Sequence, residues 1–404
     1  MKRTQTFIQT FIQTFAWQCL CVALLFFAFQ APCRAQFFCD PCEPVSCRTN
    51  SSVWDFGGWL DAGMMANQYG HKDTYVLGTN PNNNDLVPGN TGHLKNVKHS
   101  SFQMNQLWFY GEKKRDRRGF GIGARAEFTY GVDGRHFQAV GLDRSENKRW
   151  GEGDYYASFP QLYVEVGYGD FSIKAGKFFT VMGLDSSCAP NRFFYSTSYE
   201  NQTYMDFGGI LATWDVNKNF TVFGGWVNSE ERFFTDGDHN AFLGGMNWKI
   251  SPLLRLDYSV LIGKDEGNSV ANEREYFVNS LVARVKLSKR WDYAIAWLLR
   301  NEKYLAGGHG GRYGINQELF YTVNSRWSLG FGAEWIKNYS WDFGYDANSN
   351  YDMVAFRVGA NWKPTSQFTL RPEIRYDKCD GDTPFNGGTK DGQFLYGFSG
   401  VLTF

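Results

Sequence analysis

From residue 53 to the C-terminus, apolar and polar side chains alternate along stretches of about ten residues separated by polar turns. In "FTLRPEIRYDK", Phe368, Leu370, Pro372, Ile374 and Tyr376 share one parity, while Thr369, Arg371, Glu373, Arg375 and Asp377 share the other. Successive side chains of a strand point to opposite faces, so this segment is apolar on one side and charged on the other. "FGIGARAEFTY", "LRLDYSVLI" and "WSLGFGAEW" divide the same way. Sixteen segments follow the pattern, over 53–65, 101–111, 120–130, 158–167, 171–179, 208–216, 220–229, 240–250, 254–262, 275–287, 291–302, 313–323, 327–337, 351–363, 367–377 and 393–404. It weakens in 101–111 and 171–179, where Phe109 and Lys177 stand on the wrong parity. No long helical period interrupts it.

The connections alternate in length. "YGD", "NKN", "SPL", "SKR", "NSR" and "PTS" are short, whereas 70–100, 131–157 and 180–207 are long. With an even number of strands, all short turns and both termini lie at one end and the long loops at the other. Trp108, Phe120, Phe171, Trp214, Phe220, Trp248, Trp291, Trp327, Trp362, Phe368 and Phe404 gather at the turn end, as rings do at a membrane interface. Strands of a soluble β-sandwich average five or six residues, whereas a tilted strand needs about 9 to 11 to cross a bilayer. Hydrocarbon leaves no partner for an open sheet edge, so the sheet must close. The expected fold is all-β: a transmembrane antiparallel up-and-down β-barrel of about sixteen strands, apolar outside and charged inside. The reverse arrangement would cost about 2 to 4 kcal/mol per arginine near the midplane. Pro372 cannot donate to a ladder, which predicts a local bulge there.

The N-terminus differs. Lys2 and Arg3 precede the apolar run "FAWQCLCVALLFFAFQ" and then "APCRAQ", the order of a secretory signal, predicted to span 1–35 with cleavage after Ala35. A Cys-rich segment at 36–52 and the barrel at 53–404 complete the organisation. Of the 41 basic residues, the signal holds Lys2, Arg3 and Arg34, which leaves 38 against 41 acidic ones, a formal charge of −3. That balance gives no reason to expect a nucleic-acid partner. The basic run "KKRDRR" lies in a predicted turn and reads as a solvated turn. Cys39, Cys42, Cys47, Cys188 and Cys379 survive processing, an odd number. The first three read as a disulfide-tied segment, since a zinc site usually needs four ligands and no histidine is near. Cys188 and Cys379 both belong to the outer end, where they are candidates for a disulfide or equally for two thiols.

The stretches "WDFGGWLDAG", "GFGIGARAEFTYGVDG", "LYVEVGYGDFSIKAGKFFTVMG", "APNRFFYSTSY", "FGGILATW" and "LRPEIRYD" resemble the OmpL-like family of bacterial β-barrel porins, over essentially the whole mature chain. The resemblance implies an outer-membrane channel contacting lipid and passing small hydrophilic solutes or ions, with a homotrimer as its carried-over assembly. It assigns no solute and no cofactor. In sixteen-stranded porins the third long loop folds inward to narrow the bore. Here that loop is 180–207, with Asp185, Arg192, Glu200 and Asp206 as constriction candidates.

The inward parity supplies Arg125, Glu127, Lys174, Arg255, Asp257, Arg284, Arg300, Glu318, Arg357, Arg371, Glu373 and Arg375 as pore-lining candidates. Asp55, Asp61, Glu165, Asp215, Lys249, Lys286, Asp292 and Glu334 share it. The mixed signs predict weak ion selectivity, and the alternative role is cross-strand pairing that stiffens the wall. An outer-rim enzyme is a competing class. All six histidines fall in predicted outer loops and Asp238 adjoins His239, yet no serine or cysteine nucleophile has a recognisable context. A non-conducting structural barrel differs only in how its lumen is filled. "GFGIGARAE" has a loose dinucleotide-loop spacing but alternates as a strand and precedes no helix.

Overall fold

The computed structural model describes residues 54–70, 73–75, 86–88 and 100–404, the last span less 146–147, 200–205, 229–231, 235–238, 266–272, 306, 340–349, 382 and 387–388. The predicted signal, the cluster Cys39, Cys42 and Cys47, and Glu200 lie outside the described residues. Sixteen strands form the wall: β1 Asp55–Asn67, β2 Gln103–Lys113, β3 Phe120–Gly131, β4 Leu162–Tyr168, β5 Phe171–Phe179, β6 Asp206–Asn217, β7 Phe220–Asn228 and β8 Asn240–Ser251. Then come β9 Leu254–Asp265, β10 Arg274–Lys286, β11 Trp291–Tyr304, β12 His309–Thr322, β13 Trp327–Tyr339, β14 Tyr351–Trp362, β15 Phe368–Asp380 and β16 Gly392–Thr403.

Each strand pairs antiparallel with its sequence neighbours, and β1 pairs with β16 from Trp59↔Thr403 to Asn67↔Leu395, which closes the cylinder. No wall strand is left with a free edge, as hydrocarbon requires. Between β3 and β4 a 3-10 turn, Val132–Phe137, is followed by a short strand, Tyr155–Ser158, that pairs with the end of β3 and extends the wall. That rim strand accounts for the segment expected over 158–167, whose wall portion begins only at Leu162.

The outer parity is exposed and apolar, with Phe120 at 69%, Trp214 at 52% and Phe356 at 52%, while the inner parity is buried. The wrong-parity residue of β2 has a local cause. Asp61 of β1 pairs with Gln106 but Ala62 pairs with Met104, so Asn105 is an extra residue and the alternation changes phase there. Asn105 and Gln106 are both buried in the interior, Phe109 turns outward at 46% exposure, and Trp108 turns inward at 0%. Trp108 is therefore not an interface residue as its position near the turn suggested. It stacks on Trp59 at 4.7 Å between ring centroids and meets Phe137 edge-on at 5.3 Å. In β5, Gly176 has φ 135°, and Lys177 beyond it is enclosed, 3.3 Å from Asp206.

The bulge expected at Pro372 is absent. Gly359↔Glu373 and Trp362↔Leu370 keep one register on either side of it, so the β14–β15 ladder only skips two positions, while Pro372↔Phe398 continues the β15–β16 ladder. A missing donor costs one ladder bond and inserts no residue.

Ile374 lies on the outer face between Val358 and Tyr396. Ile374→Arg should destabilise the bilayer-inserted barrel by about 2 to 4 kcal/mol in urea unfolding. Asn247→Lys, on the inner face, should stay within about 0.5 kcal/mol.

Candidate functional site

The loop from Thr180 to Tyr199, between β5 and β6, runs inside the barrel. At its start Gly183 donates its N–H to Ser280 Oγ of β10 at 3.0 Å. Further on, Gln106 of β2 accepts from the N–H of Ala189 at 3.1 Å and donates to the carbonyl of Ser187 at 3.0 Å. The remainder lies on β12 to β15. The loop thus spans the bore from one side to the other.

An irregular loop has backbone groups that no ladder pairs, and each needs a partner once buried. The wall strands provide them in alternation. Glu373 accepts from the N–H of Tyr195 at 2.7 Å, the N–H of Ser196 at 3.0 Å and the Ser196 hydroxyl. Glu334 accepts from the N–H of Tyr199 at 2.7 Å. Arginines take the carbonyls: Arg371 donates to Ala189 at 2.8 Å and Arg192 at 3.2 Å, Arg357 to Ser196 at 3.2 Å, Arg375 to Thr197 at 2.7 Å and Arg312 to Tyr199 at 3.3 Å. Three of these arginines are also neutralised by a wall carboxylate, Arg371 by Asp61 at 3.0 Å, Arg357 by Glu318 at 2.7 Å and Arg375 by Asp377 at 2.6 Å.

Room for the loop's side chains comes from glycine. Phe193 and Phe194 pack against each other and against Phe320, and a Cβ on Gly330 would stand 2.3 Å from the Phe193 ring. Gly332 and Gly359 lie equally under Phe194, whose face also meets the Arg357 guanidinium at 4.6 Å. On the opposite side, Met182 joins a buried apolar cluster with Leu243, Leu261, Val278 and Leu298, against which Val181 packs.

The predicted inward residues do project inward, and ten of the twelve fall into two groups. Glu318, Arg357, Arg371, Glu373 and Arg375 lie behind the loop and hold it. Arg125, Lys174, Arg255, Asp257 and Arg284 line a cavity of about 620 Å³ that runs from the turn-end rim to the base of the loop, between β1 and β10. Arg300 is paired with Glu302 at 2.5 Å, and Glu127 accepts from Arg125 at 2.6 Å and Gln161 at 3.0 Å.

Of the constriction candidates, Asp185 and Arg192 belong to the inserted loop. Burial pushes the Asp185 carboxyl up, but the Arg357 guanidinium at 3.7 Å and the Ser198 N–H at 2.6 Å hold it below its ordinary value. Asp206 opens β6 and lies on the wall, ion-paired with Lys177, so it is not a loop residue. No disulfide joins Cys188 to Cys379, which selects the second of the two alternatives left open by the sequence. Cys188 packs beside Trp59 and Trp108, whereas Cys379 packs with Ile336, Tyr351 and Phe385 in a separate cluster. Asp238 lies outside the described residues, and His239 instead meets Asp265 at 2.7 Å. No grouping of three metal-ligating side chains occurs among the described residues. Gln106, Arg312 and the glycines of β13 and β14 were not singled out in the sequence. The run of small residues on an inner parity otherwise rich in charge was the available signal.

The family model described as "Putative beta-barrel porin-2, OmpL-like" matches residues 54–404. The chain belongs to this porin family. No curated protein matches it. Among solved structures, the anion-selective porin from Comamonas acidovorans is similar with a TM-score of 0.59 at 11% identity, over 87% of this chain and 99% of that one. The outer membrane channel DcaP of Acinetobacter baumannii gives 0.57 at 8% identity, over 87% and 97%. Pseudomonas putida OprB gives 0.54 at 13% identity, over 87% and 94%. At these identities the likeness is one of fold: this family member shares the closed barrel of those proteins.

Glu373→Ala, which removes the acceptor of three loop donors, and Gly330→Val, which fills the seat of Phe193, should each loosen the loop. Limited proteolysis within 186–199 should speed up at least about tenfold, equivalent to about 1.4 kcal/mol. Because the Asp185 carboxyl is held low, its share of the attachment is present above the ordinary carboxylate range. It is lost only as pH falls below that range, so the loop should resist proteolysis equally at pH 5 and pH 8.

Proposed function

We propose that this porin sits in an outer membrane and passes small hydrophilic solutes or ions by passive diffusion through an off-axis passage, the loop from Thr180 to Tyr199 setting its width. The observation that carries the reading is the division of the lumen. One side of the bore is occupied by a loop whose polar groups are bonded to the wall, and the other side keeps a polar cavity of about 620 Å³ open toward the turn end. An enzyme reading lacks this support, since His239 is engaged by Asp265 at 2.7 Å. Assembly as a homotrimer is part of the same proposal, supported by the trimer form of the similar barrel OmpT of Vibrio cholerae. Export by the N-terminal signal belongs to it as well.

Purified protein in a planar lipid bilayer should give discrete conductance steps. Removing residues 186–198 should leave the barrel folded and raise the single-channel conductance. Folded protein that yields no steps would refute the channel, and an unchanged conductance on loop removal would refute its role in setting the width.

A further inference from the structure

The charges of the open cavity are less balanced than those of the wall as a whole. Seven basic and four acidic side chains line it. Three of the acids are neutralised by arginine: Glu112 lies 3.1 Å from Arg125, Asp257 binds both Arg255 and Arg284, and Asp215 lies 2.7 Å from Arg117. The lysines are treated differently. Lys174 lies over the Tyr163 ring at 4.3 Å, and Lys114, Lys218 and Lys249 are exposed and make no ion pair among the described residues. These three belong to the β2–β3 turn, the β6–β7 turn and the end of β8, so they surround the mouth of the cavity.

The rest of that end has the same sign. The connections 114–119, 169–170, 218–219, 252–253, 287–290, 323–326 and 363–367 together carry nine basic residues and two acidic ones, Asp116 and Asp170. A narrow aqueous space walled by low-dielectric material focuses such a field and concentrates the opposite ion. The equal mixture of signs read from parity arises because it counts charges that the inserted loop and their own partners consume. What remains toward water is positive.

We propose that the conduit prefers small anions, chloride and short carboxylates, and that Lys114, Lys218 and Lys249 set this preference at the turn-end mouth. The inference rests on the porin reading above. Anions are drawn to the mouth by uncompensated ammonium groups and pass a wall on which Glu112, Asp215 and Asp257 are paired, Asp55 being outnumbered by Lys114, Lys218 and Lys249. Free charges at the mouth are screened within about 10 Å at 0.1 M salt and about 3 Å at 1 M, so the preference should weaken as salt rises.

The test is the reversal potential of the purified full-length protein in a planar bilayer under an approximately tenfold KCl gradient at low ionic strength. Chloride should permeate at least about threefold better than potassium, less so when both sides are raised toward 1 M. The combined variant Lys114→Glu, Lys218→Glu and Lys249→Glu should move the potential toward potassium, and the corresponding glutamine variant part of the way. Channels with no preference, or with a preference for potassium, overturn the proposal and leave the porin reading standing. An anion preference unchanged in both variants overturns the assignment to these lysines. Folded protein without channels overturns the porin reading and this inference with it. Detergent-resistant, heat-modifiable migration on gels reports that the variants are folded, since all three lysines lie on exposed rim positions.

Discussion

Hydrocarbon offers no hydrogen bond to a peptide group, and everything else in this molecule follows from that. A strand of ten residues placed in lipid has its N–H and C=O groups satisfied only by two neighbouring strands, so sixteen strands must return to the first, as β16 does to β1. Closure then sorts the side chains without further instruction. One parity of every strand faces acyl chains and the other faces the interior. A charge on the outer parity costs kilocalories, so the arginines and carboxylates of β12 to β15 are inside. Even the proline of β15 fits this scheme, because losing one ladder bond is cheaper than a shift of register that would turn Arg371 and Arg375 into lipid.

Moving charge inside creates a second requirement. Guanidinium and carboxylate groups withdrawn from bulk water need partners, and pairing with each other is only part of the answer. The inserted loop is the rest. Its backbone has donors and acceptors in irregular sequence, which a barrel wall could not match with peptide groups alone. A wall bearing Glu334 and Glu373 among Arg312, Arg357, Arg371 and Arg375 offers acceptors for the N–H groups and donors for the carbonyls. The loop depends on that match, since without it the loop would bury unpaired peptide groups, whereas Arg357, Arg371 and Arg375 keep wall carboxylates as partners. The glycines of β13 and β14 complete the fit by letting two phenylalanines reach the wall.

Much of the barrel was legible in the sequence because a period of two is robust: each of the sixteen segments predicted from alternation corresponds to one wall strand, with ends displaced by a few residues. Legibility failed where a single residue changes the phase. Asn105 is an ordinary residue in an ordinary strand, and nothing local says that it is unpaired. The bulge follows from the register between β1 and β2, and it sends Trp108 inside and Phe109 out. The candidate site was legible only in part, for a different reason. Parity reports the face on which Arg371 or Glu373 stands but not what covers that face, so residues that grip a loop and residues that meet water look alike. Asp206 shows the converse, since a residue assigned to the loop by position is the first of a strand. Cys188 and Cys379 lie at one end of the barrel in sequence terms but in separate packed clusters, a distinction made by side-chain contacts that no spacing encodes.

The loop is fixed at its two edges by opposite kinds of chemistry, and this bears on how the bore responds to its surroundings. On β12 to β15 the attachment is ionic and hydrogen-bonded. On β8 to β11 it is apolar, through Met182 against Leu243, Leu261, Val278 and Leu298. Salt weakens exposed ion pairs but acts little on buried ones, and it does not weaken apolar contact. Arg357, Arg371 and Arg375 are each at most 2% exposed, so the ionic edge belongs to the protected kind. Neither edge therefore yields to ionic strength within the ordinary range, and the width of the passage is a fixed property of the fold. Ionic strength acts instead on the charges that remain in water, those of the cavity mouth. On the proposed reading, passage and preference are set by two separate populations of the same inward-facing charges, one holding the loop and the other left to meet the solute.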